Sequence, residues 1–494
     1  MRSHTGRGTA ATAMALDTAH RGHLLAAFHG LLGAATLFLC LLAKLLVFAT
    51  RRHAALHLIP VCAILLLRRF LRRASAADTW LVDFACLKPP RRLRIPVAAL
   101  LEHLHLIGCF DAGSVEFMAK VIEGSGMGNE TYFPAPLHHI PPTSTHAAAV
   151  EEARALFFPA LDDLFARTGV PPSRVGALVV NCSGFCPAPS LAAIIVARYR
   201  MRDDVRTFNL SGMGCAAGAV GVDVARGVMA AHAGVRYAVV VSAEIVTVGW
   251  YSGRDQGKLL LNCYFRTGCS AALVTNSNNN HGGARYRLVS LTRTNQSASD
   301  RSYRSGYREE DDEGVTGFTL GQGVGRMVSE LLRAHLVALS PALLPLREKL
   351  RYVLLSLSSS SSQQRRRDDN KSLPTVPPMP DFRAAADHFC LSSSGRPMIW
   401  RLGQGLGLGE REMEAALMTF HRFGNQSAAS LWYQLAYLEA KGRVRPGDTV
   451  WQLGVGSGLK ANSLVWERVG DADVQRAMAG PWADCIHNYP VTET

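Results

Sequence analysis

Charged residues are scarce in this 494-residue chain, and that scarcity excludes a disordered protein. Only 19% of the residues are charged, whereas 48% are hydrophobic, which is enough apolar material for more than one ordinary core. The sequence also lacks zinc-finger spacing, basic helices with heptads and the aromatic-basic alternation of RNA readers. The formal net charge of +14 therefore does not indicate nucleic acid as a partner, and we expect none.

The eleven cysteines lack the spacing of a metal site. The closest pairs, Cys182 with Cys186 and Cys263 with Cys269, have no second pair of ligands at the distance that zinc requires. A phosphate-binding loop is also not indicated, because no Ser or Thr follows Lys460 in GVGSGLK. The sequence favours reduced cytosolic thiols, and we expect no metal and no bound cofactor.

Two long apolar runs are confined to the amino-terminal region. Residues 23–50 are long enough to cross a bilayer, which takes about 20 apolar residues. The second run, at about residues 55–70, is weaker because Pro60 interrupts it, so it is either a span or a re-entrant segment. A cleaved signal peptide has a shorter apolar core of about 7 to 15 residues. Residues 1–75 are therefore predicted to form a membrane anchor.

Arginines on both sides of these runs predict an orientation in the membrane. They are Arg2, Arg7 and Arg21 before the first run, and Arg68, Arg69, Arg72 and Arg73 at the end of the second. A hairpin with both ends in the cytosol satisfies the positive-inside rule better than the reverse arrangement. Arg51 and Arg52, in the loop between the runs, weaken this preference. We expect the catalytic body to face the cytosol.

From residue 76 onward the hydrophobic pattern is typical of an α/β fold. Residues 175–183, 237–246 and 270–276 are apolar, β-rich runs that alternate with helical stretches of small residues. They show no polar alternation, which predicts a sheet covered on both faces. Residues 357–380 are charged, Pro-rich and of low complexity, and we interpret them as an exposed linker. This linker divides a first half, residues 76–356, from a second half, residues 381–494.

Cys215 lies in a stretch of very small residues, NLSGMGCAAG. The Ala, Val and Met pattern that follows predicts a helix of roughly 15 to 18 residues starting at Cys215. A thiol at a helix amino terminus is near unpaired N–H groups and the positive end of the dipole, and both favour thiolate. The small neighbours leave room for a substrate carbonyl and for N–H donors to its oxyanion. On this stretch alone, an inert buried cysteine is an equally good interpretation.

The second half supplies possible partners for this thiol. His421 and Asn425 lie four residues apart, ahead of a predicted helix and a Gly-rich turn. A nucleophilic cysteine works with His and Asn in several enzymes, because an imidazole and an amide can hydrogen-bond developing negative charge. A cysteine hydrolase with such a triad is one interpretation, although the order of the motifs disfavours it.

Ordered motifs covering nearly everything from residue 80 onward resemble the plant 3-ketoacyl-CoA synthases. Among them are LVDFACLKPP, VNCSGFCPAPSL, FNLSGMGCAAG, LNCYFRTGCSAALVTN, DHFC and HRFGNQSAASLWYQLAYLEAKGR. The resemblance implies a duplicated thiolase-like fold of two αβα halves, preceded by a membrane-anchoring hairpin in the endoplasmic reticulum. It also implies a homodimer, or a heterodimer with other elongase subunits.

The resemblance further implies a reaction and its residues. An acyl-CoA acylates the cysteine, malonyl-CoA loses carbon dioxide, and the resulting enolate attacks the thioester to give a 3-ketoacyl-CoA two carbons longer. Cys215 matches the nucleophile, and Asn425 matches the residue that hydrogen-bonds the thioester oxygen of malonyl-CoA. His388 and His421 match two supporting histidines of the family.

Two positions depart from the family pattern. Ser392 occupies the position of the histidine that pairs with the nucleophile, and Asn295 occupies the position of another family histidine. A serine cannot hold a positive charge beside a thiolate, so we expect a higher pKa for Cys215 than in its relatives. The first hypothesis is an active, if slower, condensing enzyme. The alternative is a catalytically attenuated paralogue that acts as a dimer partner or regulator of an active synthase.

Overall fold

The computed structural model describes residues 78–277, 283–321, 323–352, 354, 380–470 and 479–491. The predicted membrane anchor at 1–75 and nearly all of the predicted linker at 357–380 lie outside these residues, so both stay predictions.

The described part of the chain contains eleven strands. They are β1 Trp80–Cys86, β2 Val175–Asn181, β3 Arg206–Leu210, β4 Tyr237–Ala243, β5 Cys269–Thr275, β6 Tyr286–Asn295, β7 Gly306–Glu310, β8 Thr316–Leu320, β9 His388–Leu391, β10 Thr449–Gly456 and β11 Lys460–Arg468. Nine of them form a mixed sheet in the order β3-β2-β4-β5-β1-β6-β11-β10-β9, and β7 pairs with β8 as a separate antiparallel hairpin. Within the sheet, β2 is parallel to β3 and β4, and β9 is parallel to β10.

The α-helices of the described residues occupy the connections between these strands. They are α1 Val97–Leu106, α2 Ala112–Glu123, α3 His146–Thr168, α4 Leu191–Tyr199, α5 Ala217–Ala231, α6 Gln256–Tyr264, α7 Asp300–Tyr303, α8 Val324–Leu343, α9 Arg396–Gly405, α10 Glu410–Phe423 and α11 Ser430–Ala440. Helices and strands alternate over most of this length, as expected for an α/β fold.

Both faces of the sheet are covered, as the apolar runs predict. On β2, Ala177 and Val179 belong to the same core cluster as residues of α5, whereas Leu178 and Val180 belong to the cluster that contains residues of α3. Successive side chains of a strand point to opposite faces, so an uninterrupted apolar run needs a helix on each side. The prediction of an α/β sheet buried on both faces is confirmed.

Helix α5 is the central helix of this arrangement. It contacts β2 and β4 and also β10 and β11, and small residues make this close packing possible. A Cβ at Gly221 would lie 2.6 Å from Cγ1 of Val240. Together with the turn before it, Gly214–Ala231 is the one helical stretch among the described residues that is long and apolar enough to span a membrane, and 56% of it is buried inside the protein.

The two halves of the chain share one continuous sheet. β6 belongs to the first half by the predicted division at residues 357–380, yet it pairs with β11 at nine positions and with β1 only through the Trp80–Leu81 end of that strand. β6 therefore lies in the sheet as part of the group formed by β9, β10 and β11. The division into halves at residues 357–380 itself stays a prediction.

Candidate active site

The candidate site lies where parallel strands end. β2, β3 and β4 run in the same direction, so their carboxyl ends meet at one edge of the sheet. Ser183 follows β2, Cys215 follows β3 and Glu244 follows β4. The edge formed by the carboxyl ends of parallel strands is where α/β proteins generally bind ligands.

Cys215 begins the helical segment that the sequence predicts. A 3-10 turn over Gly214–Ala216 leads directly into α5, a helix of 15 residues, so the predicted helix start is confirmed. Gly212 and Gly214 have φ angles of 67° and 57°, a region that glycine adopts with little cost. The Gly214 N–H donates to Oγ of Ser183 at 2.8 Å, which ties the cysteine turn to the end of β2.

The residues around Cys215 are small because other strands approach the cysteine turn closely. β10 runs directly against the cysteine turn, and a Cβ at Gly454 would lie 2.6 Å from the Cys215 carbonyl oxygen. A Cβ at Gly456 would collide with the Met213 carbonyl oxygen. From β11, the side-chain amide of Asn462 donates to the Ala216 carbonyl at 3.0 Å. The small residues therefore let strands from the second half hold the turn in place.

Asn425 reaches the same point from the end of α10. Its Oδ1 lies 4.0 Å from Sγ of Cys215 and accepts the Ser427 N–H at 2.7 Å. Two backbone hydrogen bonds hold Asn425 against the segment 264–266. Its N–H donates to the Tyr264 carbonyl, and its carbonyl accepts the Arg266 N–H. Since Oδ1 is already an acceptor for Ser427, the Nδ2 amide is the group that Asn425 can offer to a substrate oxygen.

Two further polar residues extend this pair. Oγ of Ser427 donates to Oε1 of Glu244 at 3.1 Å, and Ser427 has a positive φ of 54°, an uncommon conformation for a residue other than glycine. The Glu244 carboxylate also accepts the Ser183 N–H at 2.9 Å and the Gly184 N–H at 3.3 Å. Burial raises the pKa of Glu244 above its usual value.

The thiol of Cys215 is protonated at neutral pH. Burial raises its pKa to about 11, with the nearby Glu244 charge adding to the rise, whereas hydrogen bonding to Ser427 and Asn425 opposes it. Burial therefore opposes the thiolate form that the helix terminus is predicted to favour.

Ser392 lies at this site but its hydroxyl is occupied by the backbone. It is 1% exposed and lines the same cavity as Cys215. Its Oγ accepts the Val455 N–H at 2.7 Å and donates to the Leu453 carbonyl at 3.4 Å. Ser392 is therefore a bridge between the end of β9 and the end of β10.

The structure does not bring the predicted histidines to the cavity. Nε2 of His388 contacts Oδ2 of Asp448 at 2.9 Å, at the opposite end of β9 from Ser392. His421 lies on α10, where its ring is 5.8 Å from the Tyr489 ring and packs against Gly128. Neither histidine lines the cavity around Cys215, so a catalytic role for either stays a prediction that this geometry does not support.

Asn295, which the resemblance places at another family histidine, does not itself line the cavity, although its strand partner Lys460 follows the lining residue Leu459. It is the last residue of β6, and its Oδ1 accepts hydrogen bonds from the backbone N–H and the hydroxyl of Ser297. Asn295 therefore holds a turn after the strand, and the Ser297 hydroxyl in that turn also contacts the carbonyl of the lining residue Gly458.

An apolar cavity of about 440 Å³ opens from the cysteine. This volume lies within the range of small-molecule sites. Its walls include Phe133, Trp250, Phe318, Met398 and Leu402, which come from both halves of the chain. A mostly apolar tunnel that ends in a thiol, an amide and a carboxylate fits a long aliphatic substrate with one polar reacting end.

Sequence reasoning missed Glu244 and the role of Ser427. The available signal for Glu244 is an acidic residue directly after the apolar strand β4, because such a position falls at the ligand-binding edge of a parallel sheet. Ser427 carries no signal of its own, since its importance depends on a turn that brings it from the second half to Glu244 in the first.

Solved structures with the same architecture define the class of fold. The chain superimposes on 1,3,6,8-tetrahydroxynaphthalene synthase from Streptomyces coelicolor, a bacterial type III polyketide synthase, with a TM-score of 0.62 and 16% identity over 79% of this chain and 99% of that one. A fungal type III polyketide synthase gives a TM-score of 0.60 at 16% identity, over 79% and 99% of the two chains. The prediction of a thiolase-like fold is thereby confirmed.

Sequence comparison identifies the family. Residues 70–360 match the FAE1/type III polyketide synthase-like proteins, and residues 384–468 match the carboxyl-terminal part of 3-oxoacyl-[acyl-carrier-protein] synthase III. The chain is 43% identical to 3-ketoacyl-CoA synthase 4 of Arabidopsis thaliana, over 84% of this chain and 78% of that protein. It is 42% identical to 3-ketoacyl-CoA synthase 6, over 83% and 80%. The chain belongs to the 3-ketoacyl-CoA synthase family, and the predicted resemblance is confirmed.

Proposed function

We propose that the chain is an acyltransferase that condenses a long-chain acyl-CoA with malonyl-CoA. The product is a 3-ketoacyl-CoA two carbons longer, formed in the first step of very-long-chain fatty acid elongation. Family membership supports this reaction, and the 4.0 Å separation of Cys215 Sγ and Asn425 Oδ1 at the end of the apolar cavity carries the assignment to this chain.

The first half-reaction transfers the acyl group to Cys215. The sulfur attacks the thioester carbon, the bond to the CoA sulfur breaks, and the acyl chain occupies the apolar cavity. Burial of the chain stabilises this intermediate by about 25 cal/mol for each Å² of apolar surface removed from water.

The second half-reaction uses Asn425. Nδ2 of Asn425 donates a hydrogen bond to the thioester oxygen of malonyl-CoA, on which negative charge develops as carbon dioxide leaves. Such a preorganised donor stabilises the enolate more than the neutral thioester. The enolate carbon then bonds to the acyl carbon, and the Cys215 sulfur leaves as the thioester is broken.

The catalytically attenuated paralogue is not favoured. The curated relatives at 42–43% identity are named as synthases, and Cys215 and Asn425 lie together at the cavity.

The setting of the enzyme is part of the same proposal. The predicted apolar segments and their flanking arginines support anchoring in the endoplasmic reticulum membrane with the body in the cytosol. A dimer, formed with a second copy or another elongase subunit, and catalysis without a metal or bound cofactor are further elements that rest on the family resemblance.

Acyl labelling tests the nucleophile directly. Membranes containing the full chain are incubated with a radiolabelled long-chain acyl-CoA, and a hydroxylamine-labile adduct on Cys215 is the expected result. Cys215→Ser should form no such adduct, whereas Cys263→Ser, which removes a buried thiol outside the cavity lining, should label normally. An undiminished adduct in Cys215→Ser would assign the nucleophile to another residue.

A further inference from the structure

Acylation of Cys215 requires a proton acceptor, and the cavity offers few. No histidine or lysine lines it within the described residues, and the charged side chains of its lining are Glu244 and Arg308. The Ser392 hydroxyl is held by the backbone of Leu453 and Val455. An arginine is protonated at all relevant pH values, so Glu244 is the one base among these groups.

The Ser427 side chain is hydrogen-bonded to that of Cys215 and also contacts this carboxylate. Its N–H donates to the Asn425 oxygen that lies 4.0 Å from Sγ of Cys215, and its hydroxyl donates to Oε1 of Glu244 at 3.1 Å. Ser427 and Cys215 also line the same cavity. The positive φ of Ser427 fixes this bridging position, and residues held in uncommon backbone conformations are often found at functional sites.

The environment of Glu244 suits a group that accepts a proton for a short time. Two backbone N–H groups, from Ser183 and Gly184, donate to the carboxylate and stabilise its charged form. Burial acts in the opposite sense and raises its pKa, which makes it a stronger base than an exposed carboxylate.

Building on the proposed condensation, we infer that Ser427 and Glu244 form the path that takes the proton from Cys215 when acyl-CoA binds. The thiol proton passes to Oγ of Ser427 as the Ser427 hydroxyl proton passes to the Glu244 carboxylate. The sulfur attacks the thioester carbon, and the bond from that carbon to the CoA sulfur breaks. The departing CoA thiolate takes the hydroxyl proton of Ser427, and Oγ of Ser427 takes the proton back from Glu244, so Glu244 ends as a carboxylate and CoA leaves as the thiol.

Other titratable groups surround Glu244 and must be considered in its pH dependence. Sγ of Cys182 lies 3.7 Å from Oε2, and Glu244 contributes to the raised pKa of buried Glu152. The Arg308 guanidinium donates to the Gly184 carbonyl at 2.8 Å. Of these groups, only Arg308 lines the cavity with Glu244 and Cys215.

The decisive variant is Glu244→Gln, because two explanations predict opposite results for it. If Glu244 were only a nearby negative charge, its removal would make the thiol more acidic and acylation faster. If it accepts the proton through Ser427, acylation in a rapid-quench assay with radiolabelled acyl-CoA should slow by a factor on the order of 10². Acylation as fast as in the native chain, or faster, would overturn the inference.

Two companion variants separate the path from general disruption. Ser427→Gly removes the hydroxyl and tolerates the positive φ, so it should slow acylation as much as Glu244→Gln does. Glu152→Gln is the matched control, since Glu152 is a buried carboxylate that accepts the backbone N–H groups of Val246 and Thr247 at 2.8 Å without lining the cavity. It should acylate at a near-native rate. An equal loss in the control would overturn the inference.

The pH dependence of the acylation rate separates the proton path from a purely structural role of Glu244, because a structural role would not change the shape of this dependence. In the native chain, the acylation rate should rise with pH as Glu244 ionises. Because burial raises the pKa of Glu244 above the ordinary glutamate pKa of 4.5, the rise should occur above pH 4.5. Glu244→Gln should lack this rise. An identical profile in both would contradict the path. If the native chain forms no Cys215 adduct at all, the proposed function itself fails, whereas a native adduct unaffected by Glu244→Gln defeats only the proton path.

Discussion

At the scale of single residues, reactivity depends on the environment of Cys215. Burial and the Glu244 charge keep the thiol protonated, with a pKa of about 11. A protonated, buried thiol reacts slowly with general alkylating reagents, because the thiolate is the nucleophile. The nucleophile is thus selective for a substrate that fills the cavity.

This environment predicts the pH dependence of alkylation. In the absence of acyl-CoA, the rate of Cys215 modification by iodoacetamide should increase about tenfold per pH unit between about pH 7 and about pH 9, since the thiolate fraction rises throughout that range. Peptide mass spectrometry, with Cys215→Ala as the background, measures the rate. A plateau near neutral pH would show that the thiol is already ionised.

Residue-level prediction from sequence succeeds where a local pattern exists. Cys215 is marked by its small neighbours and helix start, and Asn425 by its motif. The distance between them cannot be read from the sequence, because it depends on β10 packing against the cysteine turn through Gly454 and Gly456. For the same reason the burial of Cys215, which decides its charge state, is visible only in the folded protein.

At the scale of elements, helices α8 and α9 separate two cavities. Val328 of α8 and Met398 and Leu402 of α9 line both the main cavity and a second one of about 160 Å³. These helices therefore form a wall whose side chains limit how deep an acyl chain can extend.

Met398→Ala should lengthen the acyl chains that the enzyme accepts. Truncation of Met398 removes flexible side-chain volume between the two cavities, so the product distribution should shift towards longer chains by gas chromatography of the elongation products. Val337→Ala, on the outer surface of α8 where the side chain is 74% exposed, is the matched control. A distribution equal to that of the native chain would show that Met398 does not limit the cavity.

His335 of helix α8 contacts two strands, β6 and β11. Its burial predicts how the free energy of unfolding changes at acid pH. Its ring is fully buried, with Nδ1 at 2.9 Å from Oγ1 of Thr294 on β6 and Nε2 at 2.7 Å from Oγ of Ser463 on β11. Burial lowers the pKa of His335 to about 4 from the ordinary value of 6.5. The unfolded chain therefore binds the proton more readily than the folded one between these values.

The stabilisation from neutral His335 is complete above pH 6.5 and is lost as the pH falls towards 4. The loss is on the order of 3 kcal/mol in the free energy of unfolding. Denaturant titrations of the full chain in detergent measure the free energy of unfolding at each pH. In His335→Gln, the loss of stability between pH 6.5 and 4 that His335 causes should disappear. In the control His105→Gln, which changes an exposed histidine, this loss should remain. An unchanged slope in His335→Gln would mean that the ring does not titrate in this window.

The elements themselves were predictable to different degrees. Uninterrupted apolar runs identify β2, β4 and β5 because burial on both faces leaves a strong signal. The hairpin of β7 and β8 has no such signal, since its acidic, partly exposed sequence is also typical of a loop. The pairing of β6 with β11 joins segments about 170 residues apart, and no local pattern encodes such a contact.

At the scale of the whole molecule, the predicted orientation in the membrane can be tested by glycosylation. The sequons of the chain include those that begin at Asn129 and Asn425. Asn129 is exposed, whereas Asn425 is only 4% exposed and inaccessible in the folded protein, so of these two Asn129 reports on the compartment.

We expect no glycan on Asn129, because the body should lie in the cytosol. A segment with a sequon inserted between residues 50 and 56, in the predicted lumenal loop, should be glycosylated and provides the positive control. Glycosidase digestion followed by gel electrophoresis reads both. A glycosidase-sensitive shift that Asn129→Gln removes would contradict the orientation.

The most direct test of the proposed function is product formation by the full chain in membranes. With a panel of acyl-CoAs and labelled malonyl-CoA, mass spectrometry should detect 3-ketoacyl-CoAs two carbons longer than the acyl-CoA supplied, and Cys215→Ser should form none. Absence of such products from the native chain across the whole panel, or their undiminished formation by Cys215→Ser, would contradict the assignment of this chain as a condensing enzyme that acts through Cys215.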